Sequence, residues 1–336
     1  MRSMLDLFVL SVLALGCGGK QLRFTLIDAS VQRPSNVAVY FTVDTAQGDP
    51  VPGLTADQFR IYEDGNPVSV LESKQTILNP EVAAAHHTLL LIDMSGSVTE
   101  SGDLPVIVES AEAFTVKVQQ YQKVAVYAFD GSPQIHQIAG FSGGAAAVQG
   151  VDRLDGFKAR DPSTNLNGAI LEGIKVLQRQ MAASSTPLTF GTLVVFTDGT
   201  DRAGRVTREK LYQSLDEAPE IDILVIGVGA EIDGSELRGI GRNGAIINKD
   251  RAQIAASFQA AAARIEGFSK RYYLLGYCSP ARAGKHVVRI ETTAMGQTGY
   301  QEYEFDAKGF GPNCDPNRPP AFNTKRPRVP VAVKSR

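Results

Sequence analysis

Tryptophan is absent from the 336 residues, cysteine occurs three times and histidine four times. Three cysteines are too few for a scaffold held by disulfides, so each needs its own explanation. The histidines, at 86, 87, 136 and 286, form no His-Glu-x-x-His, which argues against a zinc peptidase. No Ser-His-Asp or Cys-His grouping has recognisable flanks, so no catalytic nucleophile is expected and the chain reads as a non-enzyme. A surplus of one charge is missing too. Lys and Arg number 34 against 36 Asp and Glu, a net of −2. Such a chain is not built to coat nucleic acid by counterion release. What remains is 43% hydrophobic and 21% charged, an ordinary globular composition for one large domain or two smaller ones.

The N-terminus carries Arg2 and then an apolar run from Leu7 to Gly16. Crossing a bilayer takes about 20 residues, so the run is too short to span and fits a secretory signal. Ala14-Leu15-Gly16-Cys17 resembles the lipobox of bacterial lipoproteins. The resemblance implies a signal peptide over 1–16, acylation of Cys17 and a lipid-anchored protein of the cell envelope. Gly18, rather than Asp, follows Cys17, which favours the outer membrane or periplasmic face. The alternative is an ordinary cleaved secretion signal with an incidental cysteine.

The region 22–82 reads as short strands. Val37, Val39, Phe41 and Val43 alternate with Ala38, Tyr40, Thr42 and Asp44, the period of two for a strand with one buried face. Asp64-Gly65 after Phe59-Arg60-Ile61-Tyr62 is a hairpin signal. An Ig-like module follows from this. From 86 to 270 strands alternate with helices. Thr88 to Ile92, Val124 to Phe129, Leu193 to Phe196 and Ile223 to Ile226 read as buried parallel strands. Ile107, Ala111, Phe114 and Val118, then Leu166, Ile170, Ile174 and Leu177, then Ile254, Phe258, Ala262 and Ile265 have helical spacing. The expected fold is α/β, a doubly wound and mostly parallel sheet. Strands return in 271–307 and are expected to pack with 22–82 as one β-sandwich, since 22–82 alone is marginal in size. The last stretch, 308–336, has six prolines and seven basic residues against one acid, Asp315, so the rest of the chain carries −8. It reads as an extended tail; contact with an anionic envelope surface is the sharper alternative.

The buried strand ending at Ile92 delivers Asp93-Met94-Ser95-Gly96-Ser97. In an open α/β sheet ligands bind outside the carboxyl ends of strands. There one carboxylate and two hydroxyls converge. Thr164 opens a predicted helix, and Asp198 ends the next buried strand in Thr197-Asp198-Gly199. The bland alternative is that these residues only cap turns and helices. Together Asp93, Ser95, Ser97, Thr164 and Asp198 resemble the metal-ion-dependent adhesion site of a von Willebrand factor type A domain over about 86–270. The wording Pro52-Gly53-Leu54-Thr55 to Glu63-Asp64-Gly65 resembles a module that precedes such domains in bacteria. The resemblance implies a Mg²⁺ or Mn²⁺ site completed by an acidic residue of a protein ligand. Five oxygen donors without imidazole or thiolate suit a hard cation better than zinc. Glu100, Thr200 and Asp201 read as solvated loop residues, the alternative being groups that tune charge at the rim, and Gly227-Val228-Gly229 reads as a strand-end turn. His86 and His87 read as surface or linker residues. A structural scaffold lipoprotein, in which the metal only tightens the fold, is the competing function.

Cys278 and Cys314 bracket the expected hairpin of 286–293 and 300–305. In an oxidising envelope they are expected to form a disulfide, the alternative being two free thiols.

Overall fold

The structure, a computed structural model, describes residues 21–78, 84–143, 150–186 and 188–322. The expected signal peptide, Cys17 and the last part of the basic tail lie outside these residues.

Four apolar segments too continuous to face water on either side, with a shorter edge strand, build most of a central sheet. These are β6 (Ala84–Asp93), β7 (Lys123–Phe129), β9 (Leu188–Thr197), β10 (Ile221–Val228) and the shorter β11 (Gly244–Asn248). With β8 (His136–Ser142) they form six strands in the order β11-β10-β9-β6-β7-β8. Only β8 is antiparallel to its neighbour. Alternation along β6 explains why its run is unbroken. Leu90 and Ile92 join one core, with Ile107, Phe114 and Phe258, while Leu89 and Leu91 join the other, with Ile170, Leu177 and Leu211. Helices α3 (Leu104–Val118) and α7 (Ile254–Lys270) cover the first face. Helices α4 (Leu166–Ala182), α5 (Arg208–Asp216) and α6 (Gly234–Ile240) cover the second. Full burial of each such side chain contributes about 1.5–3 kcal/mol. The doubly wound, mostly parallel sheet is therefore present.

A four-stranded sheet pairs β1 (Arg23–Gln32), β2 (Asn36–Asp44), β12 (Tyr272–Cys278) and β5 (Thr76–Leu78) in that order. A second holds β14 (Gln297–Asp306), β13 (Lys285–Ala294), β3 (Phe59–Glu63) and β4 (Asn66–Pro67). Phe41, Phe59, Ile61, Leu275, Tyr277, Val288 and Phe305 fill the space between them. N-terminal and C-terminal strands thus share one antiparallel sandwich, with the α/β unit between them in sequence. Asp64 and Gly65 both have positive φ, 49° and 79°, the conformation that a tight β3–β4 turn demands.

β2 is buried on both faces, not one. Val37, Val39, Phe41 and Val43 point into the sandwich, while Ala38 and Tyr40 pack with Leu274, Tyr272, Ala84, Leu188 and Phe322. Alternation alone predicts one solvated face, but a third layer covers it. Cys278 and Cys314 form a disulfide, with Cα atoms 5.8 Å apart.

Candidate metal site

Asp93 is the last residue of β6 and is fully buried. Its Oδ1 accepts the Ser95 backbone N–H at 3.0 Å and its Oδ2 accepts the Thr197 hydroxyl at 2.7 Å. Among the described residues the carboxylate is aimed by a backbone N–H and a hydroxyl, with no cationic side chain bonded to it. Burial pushes its pKa up to about 6, against the pull of the Ser95 and Thr197 hydrogen bonds. A desolvated carboxylate of this kind is a site for a cation.

After Asp93 the chain turns sharply. The Met94 N–H donates to Phe129 O at 2.7 Å, and Ser95 begins the short helix α2 (Gly96–Thr99). Ser95 occupies the N-cap position, yet its hydroxyl makes no capping hydrogen bond. It lies instead 3.3 Å from the Ser97 hydroxyl. The Ser97 hydroxyl donates to Asp198 Oδ1 at 2.8 Å. The capping alternative thus fails for Ser95, and Ser97 is tied to the second carboxylate.

Asp198 follows β9 directly, one strand over from β6. It is 6% exposed, and burial raises its pKa while Ser97 and Arg251 oppose the rise. Thr164 lies two residues before α4 and is buried. Its backbone carbonyl accepts the N–H groups of Arg202 and Ala203, both at 2.9 Å. The neighbouring Pro162 carbonyl accepts the Gly96 N–H, also at 2.9 Å. Three loops at the carboxyl ends of β6 and β9 and ahead of α4 are thus laced together by backbone and side-chain bonds. The oxygen groups tied together there are the carboxylates of Asp93 and Asp198 and the hydroxyls of Ser95 and Ser97, with Thr164 held beside them by its backbone. That all-oxygen set fits a hard divalent cation, and the buried, cation-poor Asp93 fits it further.

The rim differs in part from the sequence reading. Asp201 accepts from the Asn167 backbone and side-chain nitrogens at 3.4 and 3.3 Å, so it steadies the start of α4. Glu100 is exposed. His86 and His87 are not linker residues but part of β6. His87 is fully buried against Phe141, and His86 stacks on Phe190 and meets Tyr272 edge-on. Sequence reasoning missed Arg251. Its Nη2 donates to Asp198 Oδ2 at 2.9 Å and its Nη1 to Asp103 Oδ2 at 2.8 Å. Gly229 follows β10 with φ of 132°, and a Cβ there would lie 3.3 Å from the Asp198 carbonyl. Gly227 and Val228 belong to β10, so the expected strand-end turn starts only at Gly229, whose backbone packs closely on Asp198.

Comparison with known proteins follows this geometry. A family profile described as von Willebrand factor type A domain matches residues 89–264. Among solved structures the chain is similar to a von Willebrand factor type A protein from Catenulispora acidiphila, at 13% identity and a TM-score of 0.45. That match covers 85% of this chain and 72% of the other. It is also similar to the ArnB paralog VWA2 from Sulfolobus acidocaldarius, at 15% identity and a TM-score of 0.42, covering 85% and 74%. A third similar structure is manganese-loaded TRAP protein of Plasmodium vivax, at 12% identity and a TM-score of 0.42, covering 75% and 99%. No curated protein matches the sequence.

Proposed function

The chain belongs to the von Willebrand factor type A domain family, and from that premise we propose that it is an envelope-anchored lipoprotein which captures a protein ligand through a Mg²⁺- or Mn²⁺-dependent site. Domains of this family generally mediate protein interactions rather than catalysis. The observation that carries the reading is the meeting of Asp93, Ser95, Ser97 and Asp198 at the carboxyl ends of β6 and β9, with Thr164 in the loop bonded to both.

Asp93 and Asp198 supply the negative charge that holds the ion. Ser95, Ser97 and Thr164 supply neutral oxygen. A bound divalent ion supplies a Lewis-acidic position that such a donor set leaves under-satisfied, so an acidic side chain of a ligand protein is the fitting last donor. Ser97 orients Asp198, and Thr197 orients Asp93. Selectivity then lies in the surrounding surface.

Lipid anchoring rests on Leu7 to Gly16 followed by Cys17. One acyl chain binds a membrane only marginally, so a multiply acylated Cys17 is the form that anchors firmly. Cys17→Ser is expected to release the protein from the membrane fraction; retention would contradict the anchor.

The test of the site is capture of bound proteins in Mg²⁺, with elution in EDTA, using the wild-type chain and Asp93→Ala. The reading expects specific partners held in Mg²⁺, released by EDTA and lost in the variant. Capture indifferent to both changes would remove the mechanism. A melting temperature that responds to Mg²⁺, with no metal-dependent partner, would favour the scaffold function instead.

A further inference from the structure

We propose that Arg251 is a built-in counter-charge of the metal site, which weakens its hold on the cation and keeps the bound ion receptive to a ligand carboxylate. The inference rests on the reading of Asp93, Ser95, Ser97, Thr164 and Asp198 as ligands. Both oxygens of Asp198 are already engaged, Oδ1 by the Ser97 hydroxyl at 2.8 Å and Oδ2 by the Arg251 guanidinium at 2.9 Å. The other arm of the guanidinium lies 2.8 Å from Asp103, the N-cap residue of α3, so two carboxylates hold it. Arg251 lines one small cleft with Asp103, Asp198, Phe196, Val228 and Ile254. Glu231 adds a negative charge towards Asp198, but Glu231 is itself paired with Arg202.

The physical consequence follows from charge. Two carboxylates balance the charge of a divalent cation, so its open coordination position alone gives a third carboxylate only weak attraction. A permanent positive charge against the outer oxygen of one carboxylate withdraws part of that balance, since arginine does not deprotonate in proteins. The site then binds the ion less tightly and the ion binds an acidic ligand more readily. Asp103 shares the guanidinium with Asp198, so Asp103 moderates the effect. Arg251 is thus a positioning and charge-setting residue that touches the ligand Asp198, not the ion.

The test is calorimetric titration of MnCl₂ into the purified protein, with melting temperature in EDTA as the check on folding. Arg251→Gln is expected to bind Mn²⁺ about tenfold more tightly than wild type, given a charge pair near the surface. Arg251→Lys keeps the charge and is expected to stay within about threefold of wild type. Asp103→Asn frees the guanidinium for Asp198 and is expected to bind about threefold more weakly. Equal or weaker binding by Arg251→Gln, with wild type binding normally, would overturn the counter-charge and leave the site intact. Failure of both wild type and Arg251→Gln to take up Mn²⁺ would overturn the site reading as well.

Discussion

Asp93 shows at the scale of one residue how the site trades stability for binding. A carboxyl that titrates near 3.8 when exposed titrates near 6 in this burial. Its folded pKa is the higher one, so the protonated form favours folding. That contribution is complete below about pH 4 and is lost as the pH rises through about 6, by up to about 3 kcal/mol. Metal-free protein is therefore expected to melt lower at pH 7 than at pH 5 through this group. Asp93→Asn is expected to melt higher than wild type in EDTA at pH 7, while losing any rise in melting temperature with Mg²⁺. Asp93→Asn no more stable than wild type in EDTA would contradict the burial argument. The ligand residues were legible in sequence because Asp93 to Ser97 lie within five positions and Asp198 ends a recognisable strand. Arg251 was not, because nothing in its own turn says that it reaches back to residues 103 and 198.

The elements were legible to the extent that their neighbours are local. The runs in β6, β7, β9 and β10 announce strands buried on both faces, and Asp64-Gly65 announces its turn. β8 and β11 were missed: one reads HQIAGFS and the other GAIIN, edge strands with only short apolar stretches. β2 was misread because its second face is covered by residues from distant strands and by Phe322. His86 is part of the same lesson. Lodged between Phe190 and Tyr272, it is pushed down to about pKa 4 by desolvation, then by His87 and Arg271. Its folded pKa lies below the unfolded 6.5, so the unfolded chain takes up the proton first. Stability is expected to fall as pH drops from about 6.5 to about 4, by at most about 3 kcal/mol. His86→Phe is expected to flatten that part of the pH profile, as read by denaturant melts at pH 7 and pH 5; an unchanged slope would count against it. The Cys278–Cys314 disulfide closes a sequence separation of 36 residues and pins the chain after β14 to the end of β12. Its loss in Cys278→Ser/Cys314→Ser is expected to cost up to roughly 4 kcal/mol in the chain-entropy account. Intact mass with and without reductant should differ by two hydrogen atoms.

At the scale of the whole molecule, the α/β unit and the sandwich meet through a charged joint. Arg271 follows α7 immediately and precedes β12. Its guanidinium lies 3.3 Å from Asp44 of β2 and 3.6 Å from Asp222 of β10, over the Phe268 ring. Removing one partner of such a buried group leaves charges uncompensated and costs about 3–5 kcal/mol. Arg271→Ala is therefore expected to lower the melting temperature and to split one calorimetric transition into two. A single transition at the wild-type temperature would show the joint to be immaterial. The central claim is that three loops at the sheet's carboxyl edge form one divalent-cation site. Titration of Mg²⁺ into the wild-type chain and Asp93→Ala by calorimetry tests it most directly. One ion per wild-type chain and none in the variant is the result expected; equal uptake by both, or uptake by neither, would contradict it.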